Sequence, residues 1–336
     1  MDPVRPIGEY FDSPDKLFNW LNGAVFGTAT INALNRAGVT DTLLEGPADL
    51  GTLAARHGLT PEKLGRILDY LLAHGLVDRD AEGRFRANNR TRMMREAAGL
   101  LANVETSSLA ASQLLPALEQ GRTAFEVQFG SPVFEYFSRN PERAALFGVF
   151  MGFMTRRVTR FLFANHRFVP FESVADVGGS MGDLLLAVLQ EYPGTRGILF
   201  DLPDVVDLAR PGIAASPLAG RVELASGSFF DSVPAADLYT VKQILHDWDD
   251  HECVQILSRI RESIKPGGRL VLIEHVLSNR PEPTESLGTD MAMLVWSTGR
   301  ERKLVEFEAL LLKADFCLER VTPNPMGPSV LEAVAR

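Results

Sequence analysis

The chain has 336 residues, of which 46% are hydrophobic and 23% charged, which indicates a globular protein with two domains or one domain and a large extension. Its net charge of −9 argues against nucleic acid as a general partner, and its two cysteines argue against a disulfide framework or a zinc cluster. The longest apolar run, residues 144–154, is too short to span a bilayer, and the first ten residues lack the apolar core of a signal peptide. We therefore expect a protein of the reducing cytoplasm with no membrane partner.

The first predicted element is a long helix that ends at Gly38. Apolar side chains recur along it at helical spacing, namely Leu17, Trp20, Leu21, Ala24 and Val25. Small residues between them permit close packing against another helix. The pattern fits a helix inside a bundle and equally a helix at the contact between two subunits.

Residues 50–87 follow the order of a helix-turn-helix with a wing. One helix ends at Gly58, a second begins with Thr60 as N-cap and Pro61 in its first turn and ends at Gly75, and a hairpin turns at residues 82–83. Such a unit recognises DNA in many regulators, and it also serves as a packing module. Residues 51–95 hold nine basic and five acidic residues, but the second helix carries only Lys63 and Arg66, which favours packing.

Residues 97–165 are predicted to be almost wholly helical, with breaks at Pro116, Gly121, residues 130–132 and Pro141. The last of these helices carries a stripe of aromatic and methionine side chains, namely Phe147, Phe150, Met151, Phe153 and Met154. A stripe of this kind usually packs in a core, and it also lines pockets for flat apolar ligands. Both interpretations stay open.

Residues 174–202 have the pattern of a β-loop-α-β unit. A β-branched strand leads into a loop with Gly178, Gly179 and Gly182, an apolar helix follows, and a second strand ends on Asp201. Glycines let a ligand approach the backbone, the helix N-terminus presents unpaired N–H groups, and a carboxylate at a strand tip accepts hydrogen bonds from ribose hydroxyls. The unit therefore predicts a nucleoside site. Its glycine spacing departs from the dinucleotide fingerprint, and a turn that binds no nucleotide remains an alternative.

Five further strands are predicted over residues 221–225, 237–241, 269–274, 316–322 and 329–335. Together with the first two they predict a seven-stranded, doubly wound α/β sheet. Ligands bind at the carboxyl ends of such strands. Asp201, Ser228, Lys242 and Glu274 fall at these ends, and His246 follows just beyond.

The segment ILHDWDDH, residues 244–251, concentrates two histidines and three acids. A metal site is one interpretation, but capping of the next helix by its acids is simpler, and we expect no metal. His246 follows a buried strand at the ligand edge of the sheet, where a general base would stand. Glu274 ends the next strand, and Glu301 is predicted to open a helix. Either carboxylate could converge on His246 or serve only as a charge at the end of its element.

These motifs resemble those of the S-adenosylmethionine-dependent small-molecule O-methyltransferases of the plant caffeate/flavonoid and bacterial natural-product type. The resemblance covers nearly the whole chain and rests on DVGGSMG, FDLPDVV, GSFFDSVP, LHDWDD, PGGRLVLIEHVL, TDMAML and GRERK. It implies a winged-helix dimerisation domain over residues 1–102. It also implies a helical connector and a Rossmann-like seven-stranded methyltransferase domain over residues 103–336, with its core from about residue 166.

The resemblance further implies roles for individual residues. The cofactor would be S-adenosylmethionine, with S-adenosylhomocysteine as its product and no metal. His246 would be the catalytic base, flanked by Glu274 and Glu301. The implied cofactor-binding residues are Thr155, Gly178, Gly179, Asp201, Leu202, Ser228, Phe229, Phe230 and Lys242. The residues implied to contact a small aromatic acceptor are Phe147, Met151, Met154, Asp247, Met293 and Trp296.

Two positions depart from the family's usual pattern. Ser228 stands where an aspartate usually bonds the adenine, so we expect that contact to weaken by about 1 kcal/mol. Lys303 stands where threonine is usual, a difference that nothing in the sequence explains. Relatives with altered chemistry keep N-methylation and cofactor-assisted hydroxylation or decarboxylation open as alternatives. A DNA-binding regulator and a nicotinamide oxidoreductase are further alternatives, which the His246 constellation and the glycine spacing disfavour.

Overall fold

The computed structural model describes residues 7–10 and 13–336 and divides the chain into two compact units, with the boundary between Ser108 and Leu109. Residues 1–6, on which much of the prediction about a signal peptide depends, lie outside the described residues. Within the described part of the chain, every helix is too short or too polar to cross a membrane.

The smaller unit contains helices and one short ribbon of two strands. Its elements are α1 (Pro14–Ala37), α2 (Val39–Glu45), α3 (Leu50–His57), α4 (Pro61–Ala73), β1 (Asp78–Arg79), β2 (Phe85–Arg86), α5 (Asn89–Glu96) and α6 (Ala98–Ala111), whose last turn belongs to the larger unit. Strands β1 and β2 pair antiparallel. The predicted helix-turn-helix with a wing is therefore present.

Two details of α4 differ from the prediction. Thr60 is the N-cap residue, but its side chain makes no capping hydrogen bond. The helix ends at Ala73 rather than at Gly75, because His74 already leaves helical geometry and Gly75 adopts a φ of +67° in the following turn.

The larger unit begins with a run of helices, namely α7 (Leu114–Gln120), α8 (Ala124–Phe129), α9 (Val133–Arg139) and α10 (Pro141–Asn165). The break predicted at Pro116 was wrong, because Pro116 lies in the first turn of α7 and the chain leaves the helix at residues 112–113. A proline is tolerated there since the first N–H groups of a helix have no intrahelical partner.

The remaining elements alternate between strands and helices. They are β3 (Ser173–Val177), α11 (Asp183–Glu191), β4 (Arg196–Asp201), α12 (Pro203–Ala215), β5 (Val222–Ser226), β6 (Leu238–Lys242), α13 (Asp250–Ser263), β7 (Arg269–Glu274), β8 (Val276–Leu277), α14 (Glu285–Trp296), β9 (Arg302–Lys303), α15 (Leu304–Lys313), β10 (Phe316–Thr322) and β11 (Ser329–Ala335).

Seven of these strands form one sheet in the order β10-β11-β7-β6-β3-β4-β5. Strands β7, β6, β3, β4 and β5 run parallel to one another. Strand β11 is antiparallel to both of its neighbours, β10 and β7. Alternate side chains feed two cores: Val241 and Leu272 pack on the side of α13 and α15, whereas Val271 and Ile273 pack on the side of α10 and α11. The doubly wound α/β fold is thus confirmed, and its parallel strands bring their carboxyl ends to one edge.

One predicted element boundary near the site was wrong. Glu301 does not open a helix, because Arg302 and Lys303 continue as strand β9 and α15 begins only at Leu304. Strand β9 pairs in parallel with β8, which follows β7 after one residue. This small second sheet brings the chain after α14 back to the carboxyl edge of the main sheet.

We expect Asp249→Ala to lower the free energy of unfolding by about 1 kcal/mol. Asp249 is the N-cap of α13: its carboxylate accepts a 2.8 Å bond from the Glu252 amide, and the Glu252 carboxylate accepts a 3.0 Å bond from the Asp249 amide. Urea denaturation measures the change. Asp249→Asn keeps the acceptor and should lose only a few tenths of that value; equal losses in both variants would contradict the capping role.

Candidate functional site

The glycine loop after β3 is tied to the end of β4. The amides of Gly178 and Gly179 donate to the Phe200 carbonyl, and the Ser180 amide donates a 2.8 Å bond to Oδ2 of Asp201. Ser180 holds a φ of 52°, which is unusual for a residue with a side chain. The loop is therefore held in one strained conformation against the strand that carries Asp201.

Packing inside the protein itself requires the glycines of this loop. A Cβ on Gly178, where φ is +69°, would lie 2.4 Å from Cδ1 of Ile244, and a Cβ on Gly179 would lie 2.4 Å from Cδ1 of Leu199. From the sequence we expect these glycines to let a ligand approach the backbone closely. The structure adds a second reason, because a side chain at either position would have to displace Ile244 or Leu199.

Asp201 lies at the end of β4, and backbone amides hold both oxygens of its carboxylate. Each of its oxygens accepts one backbone amide bond of 2.8 Å, from Ser180 and from Leu202. Burial raises the pKa of Asp201, and those amide bonds oppose the rise. Since a carboxylate oxygen accepts two hydrogen bonds, one lone pair on each oxygen remains for a ligand with two neighbouring hydroxyls.

Two more charged groups lie beside the loop, at the ends of β3 and β6. Asp176 accepts a 2.7 Å bond from the Thr240 hydroxyl on one oxygen, and burial raises its pKa to about 6. Burial lowers the pKa of Lys242, and the nearby carboxylates of Asp176 and Glu274 oppose that shift. Gln243 follows with a φ of 52°, so a strained residue also marks this strand end.

The loop after β5 places Ser228 and an aromatic group at the same edge of the sheet. The Ser228 hydroxyl accepts a 3.2 Å bond from the Phe230 amide. The rings of Phe229 and Phe230 both meet Trp248 edge to face, with centroids 5.9 Å and 4.8 Å away. Ser228 thus braces its own turn, and the aromatic rings link this turn to the segment that carries His246.

His246 lies on a single 3-10 turn, Leu245–Asp247, between β6 and α13. Its Nδ1 is 2.7 Å from Oε1 of Glu301, and its Nε2 is 3.8 Å from Oδ1 of Asp247. Both His246 and Glu301 are buried. The convergence of Glu301 on His246 is what the sequence predicted, although Glu301 reaches it from the residue before a short strand.

Burial also raises the pKa of each carboxylate around His246. It raises the pKa of Glu301, with a further rise from Asp290, and it raises the pKa of Asp247 to about 6. It raises the pKa of Glu274 to about 7. The acids around the imidazole therefore hold their protons at higher pH than exposed acids do, because ionising them together in a buried space is unfavourable.

Glu274 supports the His246 turn rather than the imidazole alone. Its Oε1 accepts bonds of 3.0 Å and 2.9 Å from the amides of Ile244 and Leu245. These amides open the 3-10 turn, so Glu274 caps it much as an acid caps a helix. Its neighbour His275 is fully buried beside Ser286, and burial lowers the pKa of His275 to about 3.

The donor atoms of His246, Glu274 and Glu301 lie within 4.8 Å of one another, close enough to surround a metal ion. Among the residues that the structure describes, Glu274 and Glu301 each have one buried oxygen with no hydrogen-bond partner. The acids of the ILHDWDDH segment are used differently. Asp249 caps α13, and Asp250 pairs with Arg302 at 2.8 Å.

Apart from Asp247, which lies in the turn of His246, the residues implied for the acceptor lie on α10 and α14. Met151, Met154 and Met293 are half-buried, and the buried Thr155 hydroxyl donates a 2.8 Å bond to the Met151 carbonyl. Phe147 and Trp296 stack on each other with centroids 5.9 Å apart, within a cluster that also includes Phe125, Phe129, Phe134, Tyr136 and Phe137. For Phe147 the core interpretation of the stripe therefore holds on the face that meets Trp296.

A cavity of about 370 Å³ opens between α10, the glycine loop and α12. Asp183, Arg156 and Met181 line it, and Gly148 and Gly152 form its wall on α10. A Cβ on Gly152 would lie 2.9 Å from a carboxylate oxygen of Asp183. The small residues of α10 thus let the helix approach the loop closely.

Sequence reasoning missed several residues of this site. Arg302 is fully buried and bonds two carbonyls of the His246 turn, and Gly299 touches that turn through its backbone. Both lie in the GRERK motif, whose glutamate alone was interpreted. Asp183 and the strained Gln243 carried no periodic or compositional signal, because their roles depend on contacts between distant segments.

A strained glycine loop next to a strand-tip carboxylate, with a histidine–carboxylate pair at the same sheet edge, is the arrangement of a Rossmann-like transferase of the methyltransferase type. Comparison with known proteins narrows this class. Residues 112–317 match the model of the O-methyltransferase domain. The chain belongs to this O-methyltransferase family and is an O-methyltransferase.

Three similar proteins illustrate the family. The phenazine O-methyltransferase of Lysobacter antibioticus is 31% identical over 313 residues, which cover 91% of this chain and 92% of the relative. The structure of a mitomycin 7-O-methyltransferase is 30% identical with a TM-score of 0.85, over 98% of this chain and all of that one. An O-methyltransferase from neocarzinostatin biosynthesis, solved with S-adenosyl-L-homocysteine and 1,4-dihydroxy-2-naphthoic acid, is 27% identical with a TM-score of 0.74, over 93% and 96%.

The raised pKa of Glu274 gives a testable pH dependence of stability. Between about pH 4.5 and 7 the unfolded chain has lost the proton that the folded protein keeps, so stability falls as pH rises through this window. Glu274→Gln removes this loss, and its free energy of unfolding should improve relative to wild type by up to about 1.4 kcal/mol per pH unit. Urea denaturation at pH 5, 6, 7 and 8 measures the difference.

Asp237→Asn is the matched control. Although burial raises the pKa of Asp237, hydrogen bonds from Ser173 and Lys265 bring it below its ordinary value, so this carboxyl is ionised in both states above pH 5. Its difference from wild type should stay constant from pH 5 to 8. A constant difference for Glu274→Gln as well would show that Glu274 ionises normally.

Proposed function

We propose that this protein transfers a methyl group from S-adenosylmethionine to a hydroxyl of a small aromatic metabolite, with His246 as the general base. The observation that carries the proposal is the 2.7 Å contact between Nδ1 of His246 and Glu301 at the carboxyl edge of the sheet. The family membership supports the reaction class, and the buried pair supplies the group that removes a proton from the acceptor.

The residues at the sheet edge fit an adenosyl cofactor. Asp201 would hold the ribose hydroxyls with its two remaining lone pairs, and Gly178 and Gly179 would lie against the methionine part. The other residues proposed for cofactor binding are Thr155, Leu202, Ser228, Phe229, Phe230 and Lys242. When bound, S-adenosylmethionine supplies a sulfonium methyl group that is already activated for transfer. The product of the cofactor is S-adenosylhomocysteine.

His246 would act through Nε2. When Glu301 is ionised it accepts a hydrogen bond from Nδ1, which leaves the lone pair of Nε2 free to take a proton from the acceptor hydroxyl. A phenol has a pKa near 10 and is a weak nucleophile until that proton leaves. The carboxylate of Glu301 then stabilises the imidazolium, as the acid of a catalytic triad does. Base catalysis of this kind accounts for roughly 10²- to 10⁴-fold in rate.

The protonation state of Glu301 sets a pH dependence. Because burial raises the pKa of Glu301, the carboxylate that accepts a hydrogen bond from Nδ1 forms at higher pH than an exposed glutamate would allow. The rate of methyl transfer should therefore rise with pH over the range in which Glu301 ionises. No step in this chemistry needs a metal, and we propose that none is used.

We propose a flat, largely apolar acceptor. Relatives are named for phenazine and for mitomycin, and one is solved with a dihydroxynaphthoic acid. Met151, Met154 and Met293 are half-buried thioethers suited to a planar ring, and Phe147 and Trp296 would form the wall behind them. Asp247, 3.8 Å from Nε2 of His246, would receive a second polar group of the acceptor.

Methylation of a ring nitrogen and cofactor-assisted hydroxylation or decarboxylation remain the alternatives. The product mass separates hydroxylation and decarboxylation from methylation, and the chemical shift of the new methyl group in the NMR spectrum separates an N-methyl product from an O-methyl ether of the same mass. DNA binding by the wing receives no support, because Arg79, Arg84 and Arg86 pair with acids of the same unit.

His246→Ala should lower kcat for methyl transfer to an ordinary phenol by roughly 10²- to 10⁴-fold, with little effect on cofactor affinity. The loss follows from removal of the group that takes the acceptor proton. Turnover of S-adenosylmethionine with a panel of phenols, and calorimetric binding of the cofactor, measure the two quantities.

An acidic acceptor provides the control for this variant. A nitrophenol that is already ionised at the assay pH needs no base, so its rate should fall much less in His246→Ala. Full activity of the variant with ordinary phenols would refute His246 as the base, and equal losses for both acceptor types would point to a structural role.

We also propose that residues 1–102 form a homodimerisation domain. Helix α1 exposes Phe18, Leu21, Val25 and Phe26 to solvent in the single chain, and a contiguous apolar face of this kind marks an interaction surface. The same helix buries Leu34 within its own unit, so its two ends have different packing roles.

Leu21→Glu/Val25→Glu should convert a dimer into a monomer, because it would bury two charges at the contact. Light scattering after size-exclusion chromatography measures the mass. Val305→Glu on α15 is the matched control, since Val305 is 63% exposed and Val25 is 62% exposed. A wild-type protein that is monomeric at micromolar concentration, or a double variant that stays dimeric, would contradict the proposed interface.

A further inference from the structure

The turn that carries His246 has little structure of its own. It is one 3-10 turn of three residues, entered through the strained Gln243 and left through the extended Trp248. A segment of this length does not fix a side chain to the tolerance that proton transfer needs. Contacts from elsewhere in the chain must therefore set the position of the imidazole.

Arg302 supplies several of these contacts. Its guanidinium is fully buried and donates 2.7 Å and 2.8 Å bonds to the carbonyls of Leu245 and Trp248, which lie on either side of His246. Its Nε donates a 2.9 Å bond to Asp250, the first residue of α13. The rigid fork of the guanidinium thus fixes three points along the six residues from 245 to 250.

Gly299 holds the same turn by direct backbone contact. A Cβ on Gly299 would lie 2.1 Å from the carbonyl oxygen of His246 and 2.4 Å from the amide nitrogen of Trp248. No side chain fits between these two backbone segments. The chain around residue 299 therefore forms a wall against which the His246 turn rests.

We infer that Gly299 and Arg302 act as a clamp that positions His246 relative to Glu301, so that both are positioning residues. The inference rests on the proposed role of His246 as the base. Glu301 lies between the two clamp residues, and its amide donates a 2.9 Å bond to Asp290 on α14. One stretch of four residues thus presents the carboxylate to Nδ1 and grips the backbone that carries the imidazole.

The clamp differs in kind from the support given by Glu274. Glu274 bonds the amides of Ile244 and Leu245 at the start of the turn, whereas Arg302 bonds carbonyls on both sides of His246. The thiol of Cys253 adds a 3.1 Å contact to the Leu245 carbonyl. Loss of Arg302 would leave the Trp248 carbonyl with only the long contact from Cys253, at 3.6 Å, and would free the turn to shift away from Glu301.

The test compares Arg302→Met, Gly299→Ala and His246→Ala with the double variant Arg302→Met/His246→Ala. We expect Arg302→Met and Gly299→Ala each to lower kcat by about 100-fold, since a displacement of about 1 Å has that effect, with the dissociation constant of S-adenosylmethionine within about threefold of wild type. The double variant should be no slower than His246→Ala, because a positioning residue acts only through the residue that it positions.

Arg300→Gln is the matched control. Arg300 also pairs with Asp250, and with Glu306, but it is half-exposed and bonds neither carbonyl of the turn. Its kcat should stay within about threefold of wild type. An equal loss in Arg300→Gln would attribute the effect to pairing with Asp250 and would overturn the clamp.

A second measurement does not depend on turnover. The short bond between Nδ1 of His246 and Glu301 should give a downfield imidazole proton signal in the NMR spectrum, absent in His246→Ala, lost in Arg302→Met and in Gly299→Ala, and kept in Arg300→Gln. If Arg302→Met does not fold, Arg302→Lys and Gly299→Ala carry the test, and Arg302→Lys should show a smaller loss than Gly299→Ala.

The outcomes separate the two proposals. A large loss in His246→Ala with wild-type rates and an unchanged proton signal in Arg302→Met and Gly299→Ala would overturn the clamp alone. Multiplied losses in the double variant would also overturn it. Full activity in His246→Ala would overturn the base assignment, while the proton signal would still report whether residues 299–302 hold the imidazole.

Discussion

A buried hydrogen bond between His246 and Glu301 is the interaction on which the architecture of this site depends. Placing an imidazole and a carboxylate in contact away from water is favourable only when both are held in good geometry and their remaining polar atoms are satisfied. Glu301 reaches Nδ1 at 2.7 Å, and Asp247 and Glu274 stand close by. Glu274 accepts two backbone amides and Glu301 contacts the imidazole, yet each keeps one buried oxygen with no hydrogen-bond partner among the described residues. Burial therefore raises the pKa of both acids and favours their neutral forms.

The sheet topology explains how these groups meet. Strands β6 and β7 are parallel neighbours, so the turn after β6 and the acid at the end of β7 lie at one edge, and the Glu274 carboxylate caps that turn. Glu301 belongs to a segment almost thirty residues further on. The short pairing of β8 with β9 returns this segment to the same edge. The ends of β6 and β7 thus supply two parts of the site. The segment with Glu301 supplies the third, and the β8–β9 pairing that holds this segment in place consists of two residue pairs.

The glycine loop after β3 is also held in place by a small number of contacts. The glycine loop is positioned by the Phe200 carbonyl and the Asp201 carboxylate, and Ile244 and Leu199 pack closely against Gly178 and Gly179. Asp201 therefore both fixes the loop and keeps lone pairs for a ligand. Positive φ angles at Ser180 and Gln243 place backbone strain on both sides of the loop, which is common where a ligand site is held ready. The helices α10 and α14, in contrast, carry the half-buried methionines Met151, Met154 and Met293.

The sequence by itself determined the α/β class, the seven strands, the glycine loop and the strand-end positions of Asp201, Lys242 and Glu274. It could do so because periodicity and turn residues are local signals. It also singled out His246 and Glu301 through the motifs that resemble the family. It misplaced the element that follows Glu301 and overlooked Arg302 and Gly299, because a buried arginine and a backbone-to-backbone contact leave no local pattern. Only the tertiary structure showed that Glu274 caps the turn of His246, that Phe147 and Trp296 pack in a core, and that one short segment holds both partners of the histidine–carboxylate pair. Those facts depend on the distance between segments far apart in the chain, which the order of residues does not encode locally.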